Sequence, residues 1–339
     1  MRIAIDAMGG DNAPDEIIDG VKESIKDLDK DDEIILVGQQ DVIEAKLTPK
    51  WLRKHGDKLR IEHAPEVIGM EDKPIVALRQ KRKSSISIMT KLASRGKADA
   101  VISAGNTGAC VAACQMRMRN IEGINRPGIA VVFPTFEGPV TMCDVGANIS
   151  CKGINFYQYA IMTSNYSKYM LGIENPRIGL MSIGEEDAKG NETVKKGREL
   201  IKADPALNFI GNIEGRDMFK GKCDVAICEG FVGNVVLKLT EGLVDGLFKA
   251  IKHELLSESM RLAMKFKPVM MRMYHKYDYH EYGGAPLLGV NGVAIICHGS
   301  SKARTIKNAI DAAKKYHSTQ INQHISEHLS NTTVRDNDE

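Results

Sequence analysis

The chain lacks the marks of several large protein classes. No run approaches the roughly 20 apolar residues that a membrane-spanning helix needs. No Cys-x-x-Cys occurs, and the seven cysteines (Cys110, Cys114, Cys143, Cys151, Cys223, Cys228, Cys297) are odd in number. With no signal peptide ahead of Met1, they read as reduced cytoplasmic thiols rather than a disulfide frame. Cys110 and Cys114 can share a helical face, but without a nearby histidine they make a poor metal site. A dominant charge is missing too. The formal net charge of +2 over 339 residues gives no global pull toward nucleic acid, so any basic function is local. Gly-x-x-x-x-Gly-Lys-Ser/Thr is absent, which excludes a P-loop ATPase. Gly9-Gly10-Asp11 lacks the spacing of a Rossmann dinucleotide fingerprint. No Gly-x-Ser-x-Gly elbow appears, and no cysteine has an obvious histidine partner. Direct transfer is therefore favoured over a covalent acyl-enzyme.

What the chain does have is one local unit, repeated. In Cys223-Asp-Val-Ala-Ile-Cys-Glu-Gly-Phe-Val-Gly-Asn234 a short apolar run stops at Glu229-Gly230, and a helical pattern starts by Asn234. Strand, glycine-bearing turn, helix start is the layout that presents backbone N–H groups to an anion. A plain structural βα turn satisfies the same pattern. Val101-Ile-Ser-Ala-Gly-Asn-Thr-Gly108 repeats it, as do Ile3-Ala-Ile-Asp-Ala-Met-Gly-Gly-Asp11, Met142-Cys-Asp-Val-Gly-Ala-Asn148 and Leu180-Met-Ser-Ile-Gly-Glu-Glu-Asp-Ala-Lys-Gly-Asn191. In doubly wound sheets such turns gather at the carboxyl ends of the strands, so the five together predict one cleft.

Alternating strands and helices from residue 2 to residue 316 predict an α/β fold with a mainly parallel sheet. Residues 129–133 and 140–144, joined through Glu137-Gly138, read as an antiparallel hairpin. Residues 317–339 are polar and poorly periodic, a frayed tail. The segment 259–277 breaks the pattern. It contains no acid, carries Arg261, Lys265, Lys267, Arg272 and Lys276, and holds Met260, Met264, Met270, Met271 and Met273 beside Phe266. Pro268 divides it into a helix, a corner and a second helical piece. Cations alternating with flexible apolar side chains suit an anionic membrane surface or a dimer-interface hairpin.

Candidate chemistry sits in the turns. Gly105 and Gly108 allow an anion to approach the backbone, and Asn106 and Thr107 add donors, so this turn reads as a phosphate cradle. Asp6, Asp11, Asp144, Glu185, Glu186, Asp187, Glu229 and His298 are the acid–base candidates; strand-end carboxylates also serve as turn or cap residues. Lys189 stands beside a glycine of close approach. Arg79, Lys81, Arg82 and Lys83 form a basic cluster that suits an acidic partner, a phosphate or a solvated helix face.

Taken together, Asp6-Ala-Met-Gly-Gly-Asp-x-Ala-Pro14, Ser103-Ala-Gly-Asn-Thr-Gly-Ala109, Asp144-Val-Gly-Ala-Asn148, Gly184-Glu-Glu-x-x-Lys-Gly-Asn191, Gly211-Asn-x-Glu-Gly-Arg216, Gly230-Phe-Val-Gly-Asn234 and Tyr282-Gly-Gly-Ala-Pro-Leu-Leu-Gly289 resemble the PlsX family of phosphate acyltransferases. The resemblance covers residues 1–316. It implies a two-lobed αβα sandwich similar to the isocitrate/isopropylmalate dehydrogenase and phosphotransacetylase folds. The lobes meet near residues 145–150, the last helix returns to the first lobe, and residues 235–280 form a protruding helical hairpin. It also implies transfer of a fatty acyl group from acyl-[acyl-carrier protein] to inorganic phosphate, without metal or redox cofactor. The implied setting is a cytoplasmic homodimer held peripherally at the membrane, where a membrane-bound glycerol-3-phosphate acyltransferase uses the product. Glu229 and Lys83 stand where the family pattern has aspartate, and Ser150 where it has an acid. In the resulting scheme Gly105, Asn106, Thr107 and Gly108, with Lys189 or Arg79, hold phosphate. Asn148, Asn234 or the backbone N–H groups of the Gly233–Asn234 turn stabilise the oxyanion, His298 or a strand-end acid protonates the leaving thiolate, and Asp6, Gly9, Gly10, Asp11, Asp144 and Glu229 line the cleft. Acidic carrier protein docks on the cations of residues 79–83 or of the hairpin. An acyl-CoA-dependent phosphotransacetylase, a dehydrogenase of the same fold and a non-catalytic membrane scaffold are the rival readings.

Overall fold

A computed structural model describes residues 1–277 and 282–334. Residues 278–280 of the expected hairpin and 335–339 of the expected tail lie outside the described residues. The strands are β1 (Arg2–Asp6), β2 (Glu33–Gly38), β3 (Leu59–His63), β4 (Ala100–Ser103), β5 (Gly128–Thr135), β6 (Gly138–Cys143), β7 (Ile178–Met181), β8 (Phe209–Ile213), β9 (Val225–Ile227), β10 (Ala285–Leu288) and β11 (Val293–Ile296). They form one sheet in the order β3-β2-β1-β4-β11-β10-β5-β6-β9-β7-β8. The central strands are buried on both faces, which is why they read as continuous apolar runs.

Alternate residues of each strand feed two cores. Ile3 and Ile5 pack on one face with helices α1 (Asp15–Ser24), α7 (Gly153–Leu171) and α11 (Ala303–Ser318). Ala4, Ile35 and Val37 pack on the other with α5 (Ser85–Ser94) and α6 (Thr107–Met118). Short helices α2 (Gln40–Lys46), α3 (Pro49–His55), α4 (Pro74–Gln80) and α8 (Glu192–Lys202) complete the crossovers. The expected antiparallel hairpin is β5–β6.

Strand direction holds the main surprise. β3, β2, β1, β4 and β11 run parallel to one another, and so do β6, β9, β7 and β8. Between the blocks, β10 is antiparallel to both β11 and β5, and β5 is antiparallel to β6. Three reversals leave the two blocks pointing opposite ways. Their carboxyl ends therefore lie on opposite edges of the sheet.

Two further readings change. Residues 321–331 form helix α12 rather than a frayed tail. Ile321 and Ile325 are fully buried, and His328 Nε2 and Tyr157 Oη lie 2.9 and 2.7 Å from the buried Asp204 carboxylate. One apolar residue per turn, pinned by a buried acceptor, anchors a helix whose sequence looks polar. Pro268 does not divide the basic segment either: α10 (Met260–Tyr277) runs through it and packs on α9 (Gly230–Glu258), where Tyr274 meets Phe248 edge-on at 5.6 Å. A proline removes one helical hydrogen bond, which packing along a long hairpin offsets. No described helix is long and apolar enough to cross a membrane.

α11 closes back on the first block through Lys314, which lies 2.7 Å from Asp32 and 2.9 Å from Asp29. Burial pushes the Asp32 carboxyl up, but the Lys314 and Met1 ammonium groups outweigh it and hold it at about 2. A depressed carboxyl contributes stability above its ordinary range and loses it as pH falls through its folded value. Asp32→Asn should therefore lose about 2 kcal/mol at neutral pH, and the gap to wild type should shrink below about pH 4. Urea unfolding of both proteins at neutral and acid pH checks this. A gap independent of pH counts against it.

Candidate active site

Three turns meet at the edge formed by the carboxyl ends of β1, β4 and β11. A Cβ on Gly9 would lie 2.4 Å from Asp6 Oδ2 and 2.7 Å from the Gly105 nitrogen, so only glycine lets these turns touch. Beneath them Ser103 Oγ donates to Asp6 Oδ2 at 2.8 Å and accepts from Gly105 N–H at 3.0 Å. Burial pushes the Asp6 carboxyl above its ordinary range, against donors from Ser85, Ser103 and the Met8 and Gly9 backbone. The Asp11 N–H donates to the Gly299 carbonyl at 2.8 Å, tying the β1 turn to the β11 turn. Of the five turns expected to converge, those after β1 and β4 do so here, joined by the turn after β11.

The same edge gives Asn106 another task. Its amide lies within 3.2 Å of the carbonyls of Gly69, Met70 and Asp72, and its Oδ1 accepts from Ala109 N–H at 3.0 Å. Two hydrogens facing three acceptors are fully committed, so Asn106 caps α6 and pins the loop before α4 instead of holding phosphate. Thr107 and Gly108 are exposed beside Pro74, and Arg79 is exposed in the last turn of α4.

The other turns occupy the opposite edge, where β6, β7 and β9 end. Asp144 is fully buried and accepts from the backbone N–H groups of Ile129, Gly146, Ala147 and Asn148 and from Asn148 Nδ2. Asn148 Nδ2 also faces the Pro127 carbonyl at 2.6 Å and Tyr159 Oη at 2.9 Å. Its amide is committed to this lock and has no proton left for an oxyanion. Glu229 is half-buried at the start of α9, Asn234 is exposed beside Gly146, and Lys189 is exposed in the turn after β7. The expected single cleft is thus corrected. Lys189, Asn148 and Asn234 stand across the sheet from Gly105 and His298, because the reversed second block carries its strand ends away. Local sequence holds no signal for that reversal.

An opening of about 790 Å³ adjoins His298. Its polar wall is the loop after β11 and the first turns of α11: His298, Ser301, Arg304, Thr305 and Asn308. Phe133 and Phe136 at the β5–β6 tip and Leu237, Val244, Phe248 and Ile251 of α9 make an apolar trough. These α9 residues are seven, four and three apart, one stripe of the helix. Ser300 N–H points at His298 Nδ1, 3.3 Å away, with Ser300 Oγ at 2.8 Å. A backbone N–H can only donate, so Nδ1 is the acceptor and the neutral ring carries its proton on Nε2. His298 was expected from the sequence, and the α11 wall was not. The 301, 304, 305, 308 spacing of polar residues was the available signal. Among the described residues, no group of three or more His, Cys, Asp or Glu is arranged to hold a metal ion.

Two opposed parallel blocks, with a cleft beside the joining strands, define an α/β fold that phosphotransacetylases share. A phosphotransacetylase from Streptococcus pyogenes matches with a TM-score of 0.61 over 94% of both chains, at 17% identity, a likeness of fold alone. Residues 1–324 match the model of a family described as "Fatty acid synthesis protein". The phosphate acyltransferases of Heliobacterium modesticaldum and Trichlorobacter lovleyi are 48% and 45% identical over 97% of this chain, covering 98% and 95% of their own lengths. The chain belongs to the PlsX family of phosphate acyltransferases, as its motifs indicated, and is an acyltransferase.

Proposed function

We propose that the chain moves a fatty acyl group from acyl-[acyl-carrier protein] to inorganic phosphate, giving acyl phosphate for phospholipid synthesis. The observation that carries this reading is the two-ended cleft. An apolar trough long enough to line one stripe of α9 leads to a polar wall with the Arg304 cation. An acyl chain fits the first and an oxyanion the second. Each methylene taken from water contributes about 0.8 kcal/mol, so the trough selects long chains.

Phosphate at neutral pH is already nucleophilic and needs positioning more than a base. One of its oxygens attacks the thioester carbonyl carbon, forming C–O. The tetrahedral oxyanion collapses, C–S breaks, and the thiolate takes a proton. The proton comes from solvent, and the neutral His298 ring, with its N–H on Nε2, can steady the departing sulfur by a hydrogen bond. A thiol with a pKa of about 8.5 leaves readily, so this assistance is modest.

The α9–α10 hairpin suits the expected membrane-side and dimer contacts. Met260, Met264, Phe266 and Met271 are exposed, as is Lys265, while Met270 is half-buried. Phe231, Val235, Leu239, Leu243 and Leu247 expose a second apolar band on α9. In this reading the protein works as a cytoplasmic homodimer at the inner membrane face. It passes acyl phosphate to a membrane-bound glycerol-3-phosphate acyltransferase.

The test compares palmitoyl-carrier protein with palmitoyl-CoA at saturating phosphate, following free thiol and hydroxylamine-trapped acyl phosphate. The carrier-protein thioester should react faster, by about ten-fold or more in kcat/KM. A faster reaction with the CoA ester assigns the phosphotransacetylase-like role instead. Phosphate-independent thiol release from both donors removes the reading altogether.

A further inference from the structure

From Lys73 to Ala98 the chain has eight basic residues and no acidic one. The fold brings the first half of this stretch to the edge that holds His298. Ser85, at the start of α5, donates to the Asp6 carboxylate at the end of β1. Pro74, at the start of α4, packs on Gly108. The loop before α4 reaches the cleft itself, since Met70 Cε lies 3.0 Å from where a Cβ on Gly299 would stand, next to His298. The Asn106 amide holds that loop by the carbonyls of Gly69, Met70 and Asp72, so α4 has a fixed place beside the cleft. Arg95 and Lys97 end the stretch at the opposite edge, just before β4 begins.

One side of α4 is buried through Ala77 and Leu78. On the other side Ile75 and Val76 are 47% and 48% exposed, too open to serve the core. Arg79 is four residues from Ile75 and three from Val76, so the aliphatic pair and the cation share one face. Arg82 is tied to the end of the helix by its Nε, which donates to the Arg79 carbonyl at 3.2 Å. Lys81 pairs with Asp72 at 2.5 Å, whereas Lys73, Arg79 and Arg82 are exposed and have no ion pair among the described residues. The carboxylates nearby do not cancel them. Glu66 accepts the Lys83 N–H at 2.7 Å, Asp11 lies against Gly299, and Glu71 is exposed in the loop. An apolar centre ringed by unpaired cations is complementary to an acidic protein surface. Two aliphatic side chains are too little for a lipid surface, which the longer apolar bands of the α9–α10 hairpin suit better. We infer that α4 and Met70 form the docking face for the acidic carrier protein. Ile75 and Val76 make its apolar contact, Lys73, Arg79 and Arg82 pair with its carboxylates, and its thioester arm enters at the His298 loop. This rests on the acyl-transfer reading and gives the acyl donor its place.

The experiment compares the full chain as wild type, Lys73→Glu/Arg82→Glu, and Arg95→Glu/Lys97→Glu, which makes the same charge change at the far edge. The donors are palmitoyl-carrier protein and S-palmitoyl-pantetheine, the same thioester on an arm without the protein. Lys73→Glu/Arg82→Glu should raise the carrier-protein KM by about ten-fold or more and leave kcat/KM for the pantetheine thioester within about two-fold. Raising the salt from about 50 to about 200 mM should narrow that gap. Ile75→Ser/Val76→Ser should also raise the carrier-protein KM, by a factor that salt does not change. The far-edge variant should match wild type, and all melting temperatures should agree within about 2 °C. An unchanged carrier-protein KM in Lys73→Glu/Arg82→Glu overturns the inference. So does a loss that the far-edge variant shares, because net charge alone then explains it. Weaker sedimentation with phosphatidylglycerol vesicles, at an unchanged carrier-protein KM, assigns the face to lipid and overturns it too. If wild type transfers no acyl group to phosphate, the acyl-transfer reading fails. Isothermal titration with unacylated carrier protein then judges α4 by itself: binding weakened only by the α4 substitutions upholds the docking face, and equal or absent binding overturns it.

Discussion

Gly233→Ala should lower stability by about 3 kcal/mol or more, and the melting temperature by roughly 5–10 °C. Ordinary helix propensity predicts the opposite, because alanine is favoured over glycine inside a helix by about 1 kcal/mol. Packing decides the sign. A Cβ at Gly233 would overlap the Asp144 carbonyl and sit 2.9 Å from Val145 Cα, so it meets backbone and not a side chain that can rotate. That backbone is tightly held. The Asp144 carboxylate gathers four backbone N–H groups, Asp144 N–H donates to the Cys228 carbonyl at 3.0 Å, and Gly230 N–H donates to the Asn148 carbonyl at 2.9 Å. Moving α9 outward breaks the last of these bonds and tilts the wall of the trough. Gly242→Ala, on the same helix with nothing within 4 Å of its Cβ, is the control and should gain up to about 1 kcal/mol. Thermal unfolding of the two variants separates propensity from packing. Equal stability of Gly233→Ala and wild type would show that α9 does not approach the loop this closely. A loss at Gly242 would reveal a partner packed on that face.

The contrast between these glycines also shows what the sequence could tell. Both sit in an apolar helical pattern, and only the fold distinguishes them. The strand runs around Ile3, Val101 and Val225 were legible because burial on both faces leaves no polar alternation. The β5–β6 hairpin was legible through Glu137-Gly138. The direction of the second block was not. It depends on four residues, Ala285–Leu288, inserting between β11 and β5 long after every other strand but β11 is written, and periodicity is blind to strand direction. That one insertion separates Lys189, Asn148 and Asn234 from His298. Asn106 and Asn148 read as ligand donors for a related reason: a buried amide bound to main-chain carbonyls and a ligand-binding amide share one residue type. His298 was legible as a histidine at a strand end. Helix α12 was missed because its burial rests chiefly on Ile321 and Ile325.

On the proposed acyl-transfer reading, Val244→Trp should shift the preference from long acyl chains to short ones. Val244 projects from the inner stripe of α9 into the trough, flanked by Leu237, Phe248 and Ile251, and it is only half-buried because it faces the opening. An indole there fills space that the distal methylenes of the acyl chain would occupy, without touching the polar wall at His298 and Ser301. Excluding four or five methylenes, at about 0.8 kcal/mol each, removes roughly 3–4 kcal/mol of binding. If that binding is realised in the transition state, kcat/KM for a palmitoyl thioester falls by roughly 10²–10³. A butyryl thioester never reaches the indole, so its kcat/KM should stay within about three-fold of wild type, and the phosphate KM should not move. The melting temperature should hold within a few degrees, because the new ring enters an open cleft instead of a filled core. A palmitoyl-to-butyryl ratio unchanged by the substitution would place the acyl chain somewhere other than against α9. An equal fall for both donors would place the indole in the path of the thioester itself.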